Sequence, residues 1–177
     1  MKHKIILNKL SYLLLGLVFI TFFVSCDQVE SEPDSSPILI EDITGSWYII
    51  GLEADGETPA YNGDYVKFDI YNTSENNSDF WMDDHGDFFE IKSKATIDLS
   101  SLTFSSEANT EELYSEGTVT ISNGVITKNS FTTTGSGTTV DAINFEAEFS
   151  WDPGTTYLFK GHKRTAFPED ENPHYSN

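Results

Sequence analysis

The stretch AINFEAEFSW, residues 142–151, decides the fold class of this chain. Apolar side chains occupy every second position, and most of the positions between them are polar. Because successive side chains of a β-strand point to opposite faces, this pattern predicts a strand with one face on a core and the other in water. The face predicted to be buried carries Ile143, Phe145, Ala147, Phe149 and Trp151.

The same alternation of apolar and polar residues runs through most of the chain between residues 44 and 165. Val66, Phe68 and Ile70, for example, alternate with charged or aromatic neighbours. Period-two patterns of this kind predict strands, and no segment has the spacing of a convincing amphipathic helix. We predict strands at residues 44–53, 64–72, 79–83, 87–99, 101–106, 113–121, 125–133, 138–151 and 155–165.

Two short segments predict the turns between neighbouring strands. Asn123-Gly124 separates two apolar runs and is a strong signal for a type I′ hairpin, which would pair Ile121 with Ile126. The segment DPG, residues 152–154, predicts a second turn before the last strand. The chain is therefore expected to be a series of consecutive antiparallel hairpins.

A series of hairpins must also deal with the unpaired edges of its sheet. Closure into a barrel removes both edges, whereas a two-layer sandwich keeps them. We predict an all-β fold, and the alternation fits both a barrel and a sandwich.

The first 25 residues have the pattern of a secretory signal peptide. Three lysines precede an uncharged apolar run, residues 11–25, which ends next to Cys26, the single cysteine of the chain. The run is shorter than the roughly 20 residues of a transmembrane helix. The stretch FVSC, which ends at Cys26, resembles the bacterial lipobox. This resemblance implies cleavage before Cys26 and lipidation of its thiol.

Two further segments resemble a known family. Gly45-Ser46-Trp47 has the Gly-x-Trp that opens the first strand of lipocalin-like (calycin) barrels. GHKRTAFPED, residues 161–170, is similar to the closing G-x-R-R-T-G-F-x-E-D pattern of Bacteroidetes lipoproteins described as lipid-binding putative hydrolases, with Lys163 for the first Arg and Ala166 for the Gly. The resemblance implies an antiparallel up-and-down barrel of about eight strands, calycin/lipocalin-like, and a lipid ligand.

In calycin barrels the tryptophan of the first strand packs under a basic side chain from the end of the chain. The resemblance assigns this barrel-closing role to Trp47 and Arg164. Strict alternation from Phe159, however, turns Lys163 inward and Arg164 outward. Lys163 is therefore the alternative partner, and a bulge near Gly161 would restore Arg164 to the role.

The chain is thus expected to have four parts. Residues 1–25 are the signal peptide, residues 26–37 an acidic flexible tether from lipidated Cys26, residues 38–167 the barrel domain and residues 168–177 a tail. We expect a lipid-anchored protein of the bacterial cell envelope, at the outer membrane, which contacts the membrane through Cys26.

The composition is strongly acidic and bears on possible partners. The chain has 29 Asp and Glu residues against 10 Lys and Arg, a net charge of −19. Three basic residues and no acidic one lie in residues 1–25, so removal of that segment would leave a charge of −22. This charge repels phosphate backbones, so we expect no nucleic-acid partner.

Six aromatic residues lie on the faces predicted to point inward. In a small closed barrel such residues either fill the interior or line a pocket for one ligand, and the sequence leaves both possibilities open. The predicted ligand-binding residues are Phe68, Phe89, Phe145, Phe149, Tyr157 and Phe159.

Sequence signals for catalysis or metal binding are weak. The nucleophile pattern G-x-S-x-G is absent, and TGSGT, residues 134–138, predicts a flexible turn. The acidic segment DDHGD, residues 83–87, has ligand types for a divalent cation but fits a solvated turn better. His162 is expected at the surface of a strand end, and Glu146 and Glu148 in solvent. We assign no catalytic residue, metal or cofactor.

These observations favour a binding protein whose barrel holds a small apolar or amphipathic molecule non-covalently. An interaction or glycan-associated protein with a filled barrel is the alternative, and a hydrolase is the weaker one. The sequence leaves open the identity of the ligand and of any protein or glycan partner.

Overall fold

The computed structural model describes residues 37–61 and 63–175. The predicted signal peptide, Cys26 and nearly all of the predicted tether lie outside the described residues. No helix among the described residues is long and apolar enough to cross a membrane. Within them the chain forms nine strands: β1 (Gly45–Leu52), β2 (Val66–Asn72), β3 (Asp79–Asp83), β4 (Lys92–Asp98), β5 (Thr103–Ser105), β6 (Thr110–Glu111), β7 (Thr118–Thr132), β8 (Thr139–Phe149) and β9 (Thr156–Lys163).

Eight of the described strands form a closed antiparallel ring. Neighbours pair in the order β5-β4-β3-β2-β1-β9-β8-β7, and β5 pairs with β7 to complete the ring. The two-residue strand β6 pairs with β7 beside the ring. The first strand therefore pairs with the last, and each strand of the ring has a paired neighbour on both sides. The predicted all-β, lipocalin-like barrel of about eight strands is confirmed, and the sandwich is excluded.

The pairing of β1 with β9 joins the two ends of the barrel sequence. Its register runs without a shift from Trp47 opposite Lys163 to Leu52 opposite Leu158. In the middle of this seam Gly161 lies so close to β1 that a Cβ atom would collide with the backbone oxygen of Tyr48. Glycine is therefore required there by the close approach of the two backbones.

Strand β1 is buried on both of its faces. Trp47 and Ile49 point into the barrel core, while Ile50 and Leu52 are buried on the outer side. The connection between β1 and β2 folds back along this outer side, where the carbonyl oxygen of Gly56 accepts a hydrogen bond from Lys160 Nζ. This arrangement explains why the sequence of β1 is almost continuously apolar, unlike that of β8.

The ring also closes between β5 and β7, and here the predicted hairpin is wrong. Asn123 and Gly124 lie inside the 15-residue strand β7, where the register against β8 shifts between Ser122 and Val125. Asn123 has a φ of 51°, and Gly124 lies opposite Phe104 of β5. A side chain at position 124 would collide with the Phe104 ring, so this glycine serves the contact between two strands.

This bulge also decides which side chains of β7 face the core. Ile121 precedes the bulge and Ile126 follows it, and both are buried in the core. Without the bulge their odd spacing would place them on opposite faces of the strand. The two isoleucines therefore lie along one strand and are not paired across a hairpin.

Two other sequence predictions can be compared with the structure. The strand predicted over residues 87–99 begins only at Lys92, because the preceding residues form a loop in which Glu90 has a φ of 58°. The turn predicted at residues 152–154 is confirmed, since it joins the end of β8 to the start of β9.

Apolar side chains seal the barrel at the end where β1 begins. The residues before β1 form a 3-10 turn, Glu41–Ile43, and Ile40, Ile43 and Trp47 are fully buried. Asn76, in the connection between β2 and β3, hydrogen-bonds to the backbone that leads into this turn. Each such buried side chain contributes about 1.5–3 kcal/mol, so the segment before β1 is part of the domain.

The close approach at Gly161 predicts a sensitive position in the β1–β9 seam. We expect Gly161→Ala to lower the free energy of unfolding by about 1–3 kcal/mol. The new methyl group would overlap the backbone of β1, which, unlike a side chain, cannot change rotamer to make room. Urea denaturation measures this change. Thr156→Ala on the same strand removes a half-buried side chain whose hydroxyl donates to the solvent-facing carboxylate of Glu148, and it should change stability by less than about 0.5 kcal/mol. Wild-type stability of Gly161→Ala would contradict the tight seam.

Candidate functional site

Five of the six aromatic side chains predicted to bind ligand pack against one another, and Phe68 is the exception. All six are at most 9% exposed. The Phe145 and Phe159 rings stack with centroids 4.6 Å apart, and the Phe89 centroid lies 5.0 Å from that of Phe159. Rings at such distances are in direct contact, so no ligand fits between them. All six side chains belong to the apolar core: Phe68, Phe89, Phe145, Phe149, Tyr157 and Phe159.

A concave region of about 450 Å³ opens at the end of the barrel where β1 ends and β9 begins. Phe89 and Tyr157, both predicted to contact ligand, belong to its wall. Tyr61 is 62% exposed and Trp151 is 52% exposed, so their rings face solvent. We call this region the aromatic cleft, and its described lining residues are Ala60, Tyr61, Gly86, Asp87, Phe88, Phe89, Glu90, Ser115, Trp151 and Tyr157.

A buried carboxylate shapes the loop that forms the floor of the aromatic cleft. Asp84 is fully buried and accepts hydrogen bonds of 2.9 Å from the backbone nitrogens of Gly86 and Phe89. Burial raises the pKa of Asp84. Gly51 of β1 leaves space for the Phe89 ring, since a Cβ atom on Gly51 would come within 2.6 Å of it. Backbone and buried side chains thus preform the cleft.

The acidic segment at residues 83–87 organises this loop. Asp83 accepts hydrogen bonds from the hydroxyls of Tyr71 and Tyr114 and lies 2.9 Å from the Lys92 ammonium. Burial alone would raise the pKa of Asp83, but the hydrogen bonds from Tyr114 and Lys92 outweigh it and lower the pKa to about 2. Among residues 37–61 and 63–175, no group of three or more His, Cys, Asp or Glu side chains is arranged to hold a metal ion.

At the sealed end of the barrel a lysine lies over the buried indole. Trp47 Nε1 donates to the carbonyl oxygen of Ile43 at 3.1 Å, and Lys163 Nζ lies 5.8 Å from the centre of the Trp47 ring. Lys163 Nζ also donates to the carbonyl oxygen of Asp42 at 3.1 Å. Burial lowers the pKa of Lys163. Gly45, with a φ of 111°, allows the chain to enter β1 at this point.

Arg164, the partner first assigned to Trp47, points to the outside of the barrel. Its Nη2 lies 2.7 Å from Oε1 of Glu171, which also accepts a hydrogen bond from the Tyr48 hydroxyl. The physical reason is that β9 has no register shift against β1, so strict alternation continues to its end. Lys163, the alternative partner, is the cation above Trp47.

The residues that follow β9 hold the C-terminal segment against the outside of the barrel. Asp170 accepts hydrogen bonds from the Ser136 hydroxyl at 2.6 Å and from the Thr165 hydroxyl at 2.7 Å. These bonds outweigh burial and lower the pKa of Asp170. Ala166 has a φ of 64°, which explains why glycine is usual at this position of the closing pattern. The segment predicted as a tail therefore contacts the barrel at Asp170 and Glu171.

His162 is enclosed on the outer face, whereas the sequence placed it at the surface. Its ring stacks on Phe131 with centroids 4.2 Å apart, and Tyr65 packs edge-on at 5.5 Å. Nδ1 lies 3.3 Å from the carbonyl oxygen of Lys163 and therefore carries the proton. Nε2 is buried without a hydrogen-bond partner among the described residues. Burial lowers the pKa of His162, although Asp170 acts in the opposite direction.

The side chains considered for hydrolysis are engaged elsewhere. The Ser136 hydroxyl contacts Asp170 and Thr138, and the carboxylates of Glu146 and Glu148 accept hydrogen bonds on the exposed side of β8. In the part of the chain that the structure describes, the hydrogen-bond partners of histidine rings are carboxylates or a carbonyl, and none is a serine or threonine hydroxyl.

Sequence reasoning did not assign three aromatic residues of the cleft to ligand binding. Phe88 and Phe89 are adjacent, and alternation puts them on opposite faces, yet both are buried in the loop before β4. Trp151 lies beyond the end of β8 and stacks on Phe149 at 4.9 Å. Tyr61 is part of a connection without periodic pattern. The Phe-Phe pair, which interrupts the alternation, was the one available signal.

Comparison with known proteins identifies a family. A family model described as "Lipid-binding putative hydrolase" matches residues 32–168, which is more than half of the chain and includes all nine described strands. No curated protein matches the chain.

The buried neutral ring of His162 predicts a loss of stability in mild acid. The unfolded chain takes up a proton near the ordinary histidine pKa of 6.5, whereas folded His162 does so only at lower pH. The free energy of unfolding should therefore decrease as the pH is lowered through the interval between these two values. Urea denaturation from about pH 7.5 to about pH 5.5 measures the slope, which His162→Phe should flatten.

His174→Gln removes an exposed histidine and is the matched control, for which the slope should persist. The lowered pKa of Asp170 affects stability only near and below its ordinary pKa of 3.8, outside this interval. If His162→Phe does not fold, NMR titration of the wild-type ring gives the same information. A pKa of His162 at or above 6.5 would contradict the prediction.

Proposed function

Since this chain belongs to the family described as lipid-binding putative hydrolases, we propose that it is a binding protein whose aromatic cleft holds a small apolar or amphipathic molecule non-covalently. The barrel would act as a rigid support for this cleft. Trp47 and Lys163 would have a structural role at the opposite end.

The observation that carries this proposal is the exposure of two large aromatic side chains beside a preformed concavity. Tyr61 and Trp151 have more than half of their surface in water, and the buried rings of Phe88 and Phe89 continue the same apolar surface inward. Apolar surface in water costs about 25 cal/mol per Å², so a contiguous exposed patch is typical of a binding surface. The volume of about 450 Å³ suits a small molecule.

The ligand would bind at the mouth of the barrel, since packed aromatic rings occupy the interior. Its apolar part would contact the rings of Phe89, Trp151 and Tyr157, and its polar part would remain near the solvent-exposed rim. Asp84 would position the loop without contacting the ligand, because its carboxylate is fully buried and bonded to the backbone.

The filled interior also favours the second candidate function, a protein that contacts glycans or other envelope partners. The exposed faces of Tyr61 and Trp151 would stack on sugar rings as they would on an apolar molecule. Binding of an uncharged apolar probe and binding of soluble oligosaccharides distinguish these two candidates at the same site.

We also propose that the protein is attached to the bacterial cell envelope, at the outer membrane, through a lipidated Cys26. The basic start, the apolar run and the stretch FVSC support this proposal. Stable attachment requires more than one acyl chain, and a diacylglyceryl thioether with an acylated amino terminus would provide it.

A fluorophore titration tests the aromatic cleft as the binding site. The chain from residue 27 onward contains the whole barrel and lacks Cys26, so covalent lipid cannot interfere. We expect it to bind an uncharged apolar fluorophore such as N-phenyl-1-naphthylamine. Trp151→Ala should weaken binding about tenfold, because it removes a contact of roughly 1.4 kcal/mol. Fluorescence titration measures the dissociation constant.

Trp81→Ala is the matched control, because Trp81 lies on β3 under the Lys94 ammonium and outside the cleft. It should bind the fluorophore as the wild type does. Absence of fluorophore binding, or equal weakening by both substitutions, would refute the cleft as the site. Binding of oligosaccharide alone would favour the second candidate function.

Cell fractionation tests the lipid anchor at Cys26. When the full chain is produced in a bacterium, we expect it in the membrane fraction and in the detergent phase of a phase separation. Cys26→Ser should move it out of that phase, because the thioether cannot form. Intact mass spectrometry of the wild type should show acyl chains on an amino-terminal Cys26. An unmodified Cys26, or membrane recovery of the Cys26→Ser protein equal to that of the wild type, would contradict the proposal.

A further inference from the structure

The charged side chains of the aromatic cleft are all acidic. Asp87 and Glu90 lie in its lining, and no lysine or arginine is among the described residues that form it. Both carboxylates are exposed, and neither side chain has a hydrogen bond or an ion pair with another described residue. Asp152, which accepts a hydrogen bond from the Tyr157 hydroxyl at 2.6 Å, adds a third negative charge beside the cleft. The cleft therefore has a negative potential at its rim.

The aromatic rings of the cleft attract cations, as its carboxylates do. A ring such as that of tryptophan or tyrosine has a negative face, and a cation within about 6 Å of its centre is stabilised. Tyr61 and Trp151 are more than half exposed to solvent, and one face of the Trp151 ring stacks on Phe149. Trp151 lies 5.9 Å from Tyr157 and 6.0 Å from Phe89, centroid to centroid, so several aromatic rings are close together in the cleft.

The other two tryptophans already have a cation. Lys163 Nζ lies 5.8 Å from the Trp47 ring centre, and Lys94 Nζ lies 5.0 Å from the Trp81 ring centre. Among the described residues, Trp151 has no lysine or arginine in such a position. It is also the most exposed of the three. The position over the Trp151 ring is thus open to a cation from outside the chain.

We propose that the aromatic cleft selects an amphiphile with a positively charged headgroup, an alkylammonium in chemical class. The ammonium would lie over the Trp151 ring near Asp87 and Glu90, and the alkyl chain would cover the apolar surface of Phe88 and Phe89. This inference rests on the proposed function, since it names the ligand class of the same cleft.

The same geometry disfavours an anionic headgroup. A carboxylate, sulfate or phosphate in the cleft would meet two unpaired carboxylates and the negative faces of the rings, with no cation to receive it. An uncharged headgroup gains the apolar contacts alone. The expected order of affinity is therefore ammonium first, uncharged headgroup second and anion last.

Three amphiphiles with the same alkyl chain test this order: an alkyltrimethylammonium, an alkyl glucoside and an alkyl sulfate, each below its micelle concentration. The protein is the chain from residue 27 onward, and calorimetry at low salt gives the three dissociation constants. We expect the ammonium to bind roughly two- to thirtyfold more tightly than the glucoside. The sulfate should bind more weakly than the glucoside.

Because the whole protein is acidic, a matched control must separate the local field from the net charge. Asp87→Asn with Glu90→Gln removes two carboxylates from the cleft, and Glu146→Gln with Glu148→Gln removes two from the exposed side of β8. Both double variants change the net charge equally. The preference for ammonium over glucoside should fall severalfold in the first and persist in the second.

Each outcome decides the inference. A sulfate that binds as tightly as the ammonium, or an equal loss of preference in both double variants, would overturn it. If the glucoside binds in a Trp151-dependent manner without a preference for ammonium, the proposed function stands and this inference fails. If none of the three amphiphiles binds, both fail.

Discussion

The backbone pairing between β1 and β9 is the interaction on which the remaining structure depends. An eight-strand sheet that stayed open would expose two rows of unsatisfied amides, and this pairing removes both rows at once. Its unbroken register fixes the direction of every side chain on β9. Phe159 points into the core, Lys163 lies over Trp47 and Arg164 turns outward to Glu171. The aromatic cleft lies at the other end of the same seam.

The two ends of the barrel differ because different segments cover them. At one end, apolar residues before β1 enter the barrel and the Lys163 ammonium covers the indole of Trp47. At the other end, the loop before β4 brings Phe88 and Phe89 over the core but leaves a concavity beside Trp151. The described lining of the cleft contains Asp87 and Glu90 and no lysine or arginine, whereas at the sealed end the Lys163 ammonium already lies over Trp47. The cleft therefore has both space and negative charge for a ligand.

The pattern at the end of the chain serves closure of the fold. Gly161 permits the close approach of β1 and β9, while Arg164 and Asp170 hold the C-terminal segment through Glu171, Ser136 and Thr165. The same segment lies beside the buried His162. The residues that resemble the family pattern thus stabilise the barrel, whereas the cleft is formed by loops outside that pattern. A family signature of this kind identifies the fold more directly than the ligand.

Alternation in residues 142–151 was sufficient to predict an all-β fold, because burial of one face of a strand has a period that local sequence displays. The barrel, as distinct from a sandwich, was predicted from the family resemblance of the Gly-x-Trp at Gly45 and of the closing pattern. The contacts between distant segments were not predictable in this way. Asn123-Gly124 has the local chemistry of a hairpin, yet Phe104, distant in sequence, makes it a bulge. Likewise, alternation indicated that aromatic rings face inward, but only packing decided that they fill the barrel. The cleft depends on Tyr61, Phe88 and Trp151, which lie on three separate loops. Because these loops are distant in sequence, no single stretch of it predicts their contact.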